Sequence, residues 1–146
     1  MKSNKGFTLV ELLAVIVILA IIALIATPII LGVIETARRG SAEASALAYI
    51  KAVEDQVVIG QVTTEPTDDI EIPATGNKSY STSELSNIQV KGTRPSTETG
   101  TVVISSTGEV QPGTCLVITI NGMTYNVAYN GSTASVQDTA CTNPTT

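Results

Sequence analysis

The sequence predicts an α+β fold in which one long N-terminal helix packs on an antiparallel sheet of about four strands. Three observations predict it. Residues 12–34 contain no charged side chain, and residues 42–58 carry apolar side chains at the spacing of a helix. The C-terminal half contains short apolar runs separated by glycine turns. The length of 146 residues fits one such domain plus one extra element.

The composition excludes several classes of function. Because the chain has no histidine, Ser-His-Asp and Cys-His catalysis and mixed Cys/His zinc sites are excluded. The formal net charge of −5 disfavours a general nucleic-acid-binding surface, so we expect no nucleic-acid partner. Two cysteines cannot form a four-cysteine metal site. We therefore expect neither a metal nor a cofactor.

The apolar N-terminal segment is long enough to cross a membrane. The 23 residues between Glu11 and Glu35 span about 34 Å as a helix, whereas the hydrocarbon core of a bilayer is about 30 Å thick. Its isoleucines and valines favour strands in water. A lone strand in lipid would leave its amides unpaired, so the segment is predicted to be a helix.

Other interpretations of this segment compete with a processed membrane helix. A cleavable secretory leader has a shorter apolar core, and the Ala-x-Ala match at residues 42–44 lies beyond Arg38 and Arg39. A plain signal anchor remains open. Lys2 and Lys5 favour a cytoplasmic N-terminus, but Arg38 and Arg39 lie on the other side of the apolar segment, so the distribution of positive charge alone is nearly balanced. A core helix of a soluble protein is disfavoured, because the remaining chain is too small and polar to surround it.

Glu11 stands at the start of the apolar segment. A carboxylate in mid-bilayer costs about 3 kcal/mol, with aspartate as the reference. The fourteen Leu, Ile and Val residues within residues 12–31 favour insertion by roughly 4–8 kcal/mol, so insertion survives the charge. Two roles are open for Glu11: an anion favoured by the helix dipole, or an intramembrane acid that meets a cationic partner.

The segment Lys5-Gly6-Phe7-Thr8-Leu9-Val10-Glu11, with a short basic stretch before it and the apolar helix after it, resembles the class III signal of type IV pilins and pseudopilins. In that family a prepilin peptidase cuts after the glycine and N-methylates the new first residue. The resemblance implies cleavage between Gly6 and Phe7 and methylation of Phe7. It also implies the pilin fold, in which a sheet packs on the C-terminal half of the helix.

The resemblance further implies a role for Glu11 in assembly. In the family, the glutamate of an incoming subunit meets the N-terminal amine of a subunit already in the filament, here that of Phe7. Such a pair neutralises two charges that are costly in hydrocarbon. An intrachain pair with Phe7, or simple capping of the helix dipole, remains as the alternative.

Pro28 is predicted to kink the helix, because it cannot donate to the carbonyl of Leu24 and its ring crowds that turn. A kink there matches the family, and a tolerated transmembrane proline is the alternative. The predicted organisation is a leader (1–6), an apolar transmembrane and assembly helix (7–34), the amphipathic half of the same helix (35–60) and an exported globular region (61–146).

The amphipathic half shows a stripe at spacings of three and four, and Gly60 is predicted to end the helix. The stripe is drawn from Ala42, Ala46, Leu47, Tyr49, Ile50, Val53, Val57 and Val58. The charged side chains left for water are Glu43, Lys51, Glu54 and Asp55.

The polar half begins with a predicted loop at residues 63–77. Ser81 and Glu84 have the spacing of a capping box, which predicts a short helix there. The predicted strands cover residues 101–105, 109–110, 115–120, 123–129 and 134–136, and Asn-Gly at residues 121–122 is the strongest hairpin signal.

A bridge between Cys115 and Cys141 would close a loop over the last strands, worth about 3 kcal/mol of chain entropy. It agrees with an exported domain and with the disulfide-bounded C-terminal region of many type IV pilins. Two unrelated thiols are the alternative.

These observations predict a structural filament subunit without catalysis of its own. The expected partners are identical subunits, the prepilin peptidase, the inner-membrane assembly machinery and, before assembly, membrane lipid. The expected location is the cytoplasmic membrane, crossed once with the N-terminus inside, and then a cell-surface filament. A pseudopilin of a type II secretion or competence system shares the signal, and a membrane-tethered ligand-binding ectodomain is the alternative from another class.

Overall fold

The computed structural model describes residues 6–62, 70–90 and 92–142. Helix α1 covers Leu9–Val62. Five strands follow: β1 (Asn77–Ser81), β2 (Gly100–Ser105), β3 (Cys115–Ile120), β4 (Met123–Tyr129) and β5 (Ala134–Gln137). They form one antiparallel sheet in the order β1-β2-β3-β4-β5, so every strand pairs with its neighbour in the chain. The α+β prediction is confirmed, with one strand more than expected.

The chain divides into two compact units, one up to Ala37 and one from Arg38 onward. In the second unit, helix α1 packs its predicted apolar stripe into the core of the sheet. Leu47 and Val58, which the spacing also allowed in the stripe, are exposed. The buried helix residues are Ala42, Ala46, Tyr49, Ile50, Val53 and Val57, and the sheet contributes Val102, Ile104, Leu116, Ile118, Tyr125 and Val127.

The β3–β4 hairpin forms where Asn-Gly predicted it. Asn121 and Gly122 both have positive φ, 49° and 79°, as a two-residue type I′ turn requires. The register places Ile120 opposite Met123 and Ile118 opposite Tyr125. Ile118 and Tyr125 are both buried, which fixes the face that the hairpin presents to the helix.

Strand β1 is the additional strand, and it lies where the sequence predicted the end of a loop and the start of a short helix. Residues 82–87 form turns and no helix, although the Ser81–Glu84 capping box is present: the Ser81 N–H donates to Glu84 Oε2 at 2.6 Å. The predicted strand at residues 109–110 is reduced to an isolated bridge between Ile104 and Val110.

Two carboxylates assigned to water instead bind the sheet. Glu43 Oε1 accepts the backbone N–H of Val136 in the edge strand β5 at 3.0 Å. Glu54 Oε1 accepts the N–H of Val110 at 3.2 Å. The correction has a simple cause: both glutamates flank the buried stripe, where backbone amides of the edge strand β5 and of the isolated bridge at Val110 need acceptors.

Cys115 and Cys141 form a disulfide, so the structure contains the expected pair. The bond ties the segment after β5 to the start of β3, and the Cys141 N–H also donates to Asn126 Oδ1 at 3.3 Å. The leader prediction for residues 1–5 and the loop prediction for residues 63–69 lie outside the described residues.

Candidate processing and assembly site

The start of helix α1 is held by a reciprocal capping box between Thr8 and Glu11. The Thr8 N–H donates to Glu11 Oε2 at 2.9 Å, and the Thr8 hydroxyl donates to the same oxygen at 2.7 Å. In return, the Glu11 N–H donates to Thr8 Oγ1 at 3.3 Å. Thr8 is therefore the N-cap residue and Glu11 the third helical residue, the arrangement that satisfies otherwise unpaired amides at a helix start.

The sequence alone signalled this cap, since Thr-x-x-Glu is the same pattern that predicted the Ser81–Glu84 box. The expected roles of Glu11 are an interaction with the helix dipole and a pair with a cationic group, and the hydrogen bonds from Thr8 are an addition that the structure makes. The geometry gives Glu11 a local partner in the uncleaved chain. A carboxylate with this partner still has lone pairs for a cationic donor.

Gly6 and Phe7 lie directly before the cap, outside the helix. Phe7 is 87% exposed. A Cβ built on Gly6 meets nothing within 4 Å. The peptide bond between them is therefore open to approach, and hydrolysis there would create an α-amino group close to the Glu11 carboxylate.

The apolar half of α1 has almost no buried surface of its own. Nearly every described side chain from residue 9 to residue 34 is exposed, including Leu12, Ile16, Leu19, Ile22, Ile25 and Ile30. The helix is long and apolar enough to cross a membrane, and its most apolar window is wholly unburied within the chain. An exposed apolar surface this continuous needs lipid or another protein surface to cover it.

Pro28 lies inside α1, and the helix continues through it. The preceding residue, Thr27, donates its hydroxyl to the carbonyl of Ala23 at 2.7 Å. A proline together with threonine back-bonding loosens a helix locally. The predicted kink therefore stays a prediction, with a second local cause beside the proline itself.

The family model for the prokaryotic N-terminal methylation motif matches residues 1–27. The chain carries the type IV prepilin signal. The signal covers the open Gly6–Phe7 bond, the Thr8–Glu11 cap and most of the apolar half of the helix. No curated protein and no solved structure matches the chain.

The prepilin signal supports a type IV pilin or pseudopilin precursor and implies processing by a prepilin peptidase. The signal is one found in structural pilins and pseudopilins and is not the signature of an enzyme class. Together with the apolar helix, it fits anchoring in a membrane before assembly. The helix-on-sheet architecture of the second unit is consistent with the pilin fold.

Proposed function

We propose that this chain is the precursor of a type IV pilus subunit. A prepilin peptidase cleaves it after Gly6 and methylates the amine of Phe7. The mature subunit then leaves the cytoplasmic membrane, which it crosses once with its N-terminus inside, and polymerises through the apolar half of α1. The assembly machinery of the inner membrane moves it into a filament on the cell surface. The chain carries out no catalysis itself.

One observation carries the proposal: the prepilin signal is continuous with an apolar helix surface that none of the described residues covers. A simple anchor needs lipid around such a helix permanently. A filament subunit exchanges that lipid for the equivalent helices of its neighbours, and close packing of apolar side chains compensates for the loss of lipid contact.

The Thr8–Glu11 cap suggests which charged groups pair when neighbouring helices replace the lipid. Cleavage places a positively charged amine on Phe7, one residue before the cap. Glu11 carries the opposite charge while its Oε2 atom remains bound to Thr8. We infer that the Phe7 amine of one subunit pairs with Glu11 of the next, since an ion pair in hydrocarbon costs far less than two separate charges.

The decisive experiment is to determine the N-terminus of the protein from sheared surface fibres and from membranes. Intact-mass measurement and N-terminal sequencing should show a chain that begins with N-methylated Phe7. Electron microscopy of the same fibres then distinguishes a long pilus from the short fibre of a pseudopilin, which shares the signal. A chain that retains residue 1, or that begins near Ala46, contradicts the proposal.

The substitution Gly6→Val tests processing without disturbing the fold, because the added side chain meets open space. We expect the unprocessed chain to accumulate in the membrane and fibres to disappear. Gly40→Val is the matched control: Gly40 lies in the second half of α1 and also faces open space. It should be processed normally, and a fibre yield for Gly6→Val equal to that of the control would contradict the role of Gly6.

A further inference from the structure

Two hydrogen-bond donors converge on one exposed thioether at the β3–β4 hairpin. Met123 is the first residue of β4, and its side chain is 48% exposed. The Arg38 guanidinium donates from Nη1 to Met123 Sδ at 3.1 Å, and the Tyr125 hydroxyl donates to the same sulfur at 3.7 Å. Arg38 and Met123 belong to the same compact unit.

This contact leaves the guanidinium poorly satisfied. A thioether sulfur is a weak acceptor. Arg38 Nε is buried and has no hydrogen-bond partner among the described residues. Since the charged guanidinium already has one nitrogen without a described partner, a stronger acceptor for Nη1 at the position of the sulfur would be favourable.

Oxidation of the sulfur supplies that acceptor. We propose that Met123 is a site of reversible oxidation and that Arg38 and Tyr125 bind the resulting sulfoxide oxygen. The oxidant is hydrogen peroxide. A sulfur lone pair attacks one peroxide oxygen, the S–O bond forms and the O–O bond breaks. The departing hydroxide takes the proton from the oxygen that is now bound to sulfur and becomes water, so that the sulfur is oxidised by two electrons and the peroxide is reduced by two.

The composition makes this modification selective. The chain has two methionines, and Met1 lies in the leader that the prepilin signal marks for removal. The chain has no tryptophan and no histidine, and its two cysteines are joined in a disulfide. Met123 is thus the one readily oxidised side chain in the sequence after the leader, and a methionine sulfoxide reductase would restore it.

The consequence differs from that of ordinary methionine oxidation. A sulfoxide usually weakens the packing around it. At Met123 the new oxygen lies at the surface beside a cationic donor, so a charge-assisted hydrogen bond replaces a weak N–H···S contact. Oxidation should therefore fasten the β3–β4 hairpin to α1 and raise the melting temperature of the second unit.

The test uses the full chain in detergent, before and after treatment with hydrogen peroxide. Peptide mass spectrometry, which separates Met123 from Met1, should show one added oxygen at Met123, and Met123→Leu should lose that addition. Thermal unfolding followed by tyrosine fluorescence should show a rise in melting temperature of about 3 °C on oxidation. An unchanged or lower melting temperature in the oxidised chain overturns the proposal.

Arginine variants distinguish the effect of the contact between Arg38 and Met123 from a general effect of positive charge. Arg38→Leu should abolish the rise, whereas Arg39→Leu, which removes the same charge one residue away, should retain it. An equal rise in Arg38→Leu overturns the proposal. If Arg38→Leu does not fold, Met123→Gln decides, because its amide oxygen is a permanent acceptor. It should melt about 3 °C above Met123→Leu, and an equal or lower value overturns the proposal.

Discussion

Ile18 and Ile118 are the same residue type, and the structure places them in opposite surroundings. Ile18, in the apolar half of α1, is 57% exposed, whereas Ile118, in β3, is 0% exposed. The described apolar side chains of the first unit therefore form no core, whereas the second unit buries most of its apolar side chains in a core of its own. The difference teaches that the apolar residues of the second unit form its core, whereas those of the first unit leave an apolar surface that needs lipid or another protein surface to cover it.

The two capping boxes extend the comparison. Thr8–Glu11 and Ser81–Glu84 have the same spacing and the same hydrogen bonds. The first precedes a long apolar helix within a prepilin signal, and the second closes a polar turn after β1. The same local structure thus begins a long apolar helix in one place and closes a surface turn in the other.

The largest expected effect separates capping from charge at the first box. Glu11→Gln keeps an acceptor for Thr8 but removes the charge, and Thr8→Val removes the cap but keeps the charge. If the charge acts between subunits, Glu11→Gln should reduce incorporation into fibres more than tenfold, while Thr8→Val is incorporated nearly normally. Quantitative blotting of sheared fibres against membranes measures this ratio. The reverse pattern would assign Glu11 to capping alone.

Matched truncations of the two isoleucines should show the contrast between the units directly. Ile118→Ala leaves a cavity in the core and should lower the free energy of unfolding by about 3 kcal/mol. Ile18→Ala should leave that free energy unchanged. All four tyrosines lie after Arg38, so tyrosine fluorescence during urea unfolding in detergent reports the second unit alone. An equal loss of unfolding free energy in the two variants would contradict the difference between the two units.

A smaller effect concerns the carboxylates that bind the sheet. Glu43→Ala removes the acceptor of the Val136 N–H and should cost about 1 kcal/mol, since both groups are partly exposed. Glu43→Gln, which keeps an amide oxygen, should cost less. The exposed Asp55→Ala is the control and should lie within about 0.5 kcal/mol of the wild type. Urea unfolding gives all three values, and a cost for Glu43→Ala no larger than that of the control would show that the contact contributes nothing.

The smallest effect is a pH dependence from the second capping box. The Ser81 N–H and hydroxyl, which donate to the Glu84 carboxylate, lower its pKa below the ordinary 4.5. The hydrogen bond from Lys78 lowers the pKa of Glu71 in the same way. These contributions are present above pH 4.5 and are lost as the pH falls through the lower pKa values of the folded state. Because the groups are exposed and solvent screens their charges, the loss should be small.

Melting temperatures between pH 6 and pH 3 provide the measurement. Glu84→Gln should reduce the fall of the melting temperature at acid pH relative to the wild type. An identical profile for the variant and the wild type would show that the box contributes no pH-dependent stability.

The sequence predicted the β3–β4 hairpin with its correct bounds, because Asn-Gly and the alternation of apolar residues act locally. It missed β1, whose residues 77–81 are mostly polar and form a strand only because β2 lies beside them. It also assigned Glu43 and Glu54 to water. Helical periodicity identifies the buried face of α1, but it does not show which flanking carboxylates meet unpaired backbone amides of the sheet.

At the processing site, the sequence predicted the motif and its position, and the structure added Thr8 as the partner of Glu11. That partner was readable from the Thr-x-x-Glu pattern. The Met123 contact was not readable, because Arg38 and Met123 are 85 residues apart in the chain and meet only through the packing of the hairpin on α1.

The order of the strands has a consequence for synthesis. Since each strand pairs with the one made just before it, no strand waits for a distant partner, and the sheet can grow one hairpin at a time behind the helix. Contacts between chain neighbours favour rapid folding. A polypeptide delivered N-terminus first thus completes its sheet in the order of its own translation, and Cys141, which follows the last strand, then joins Cys115.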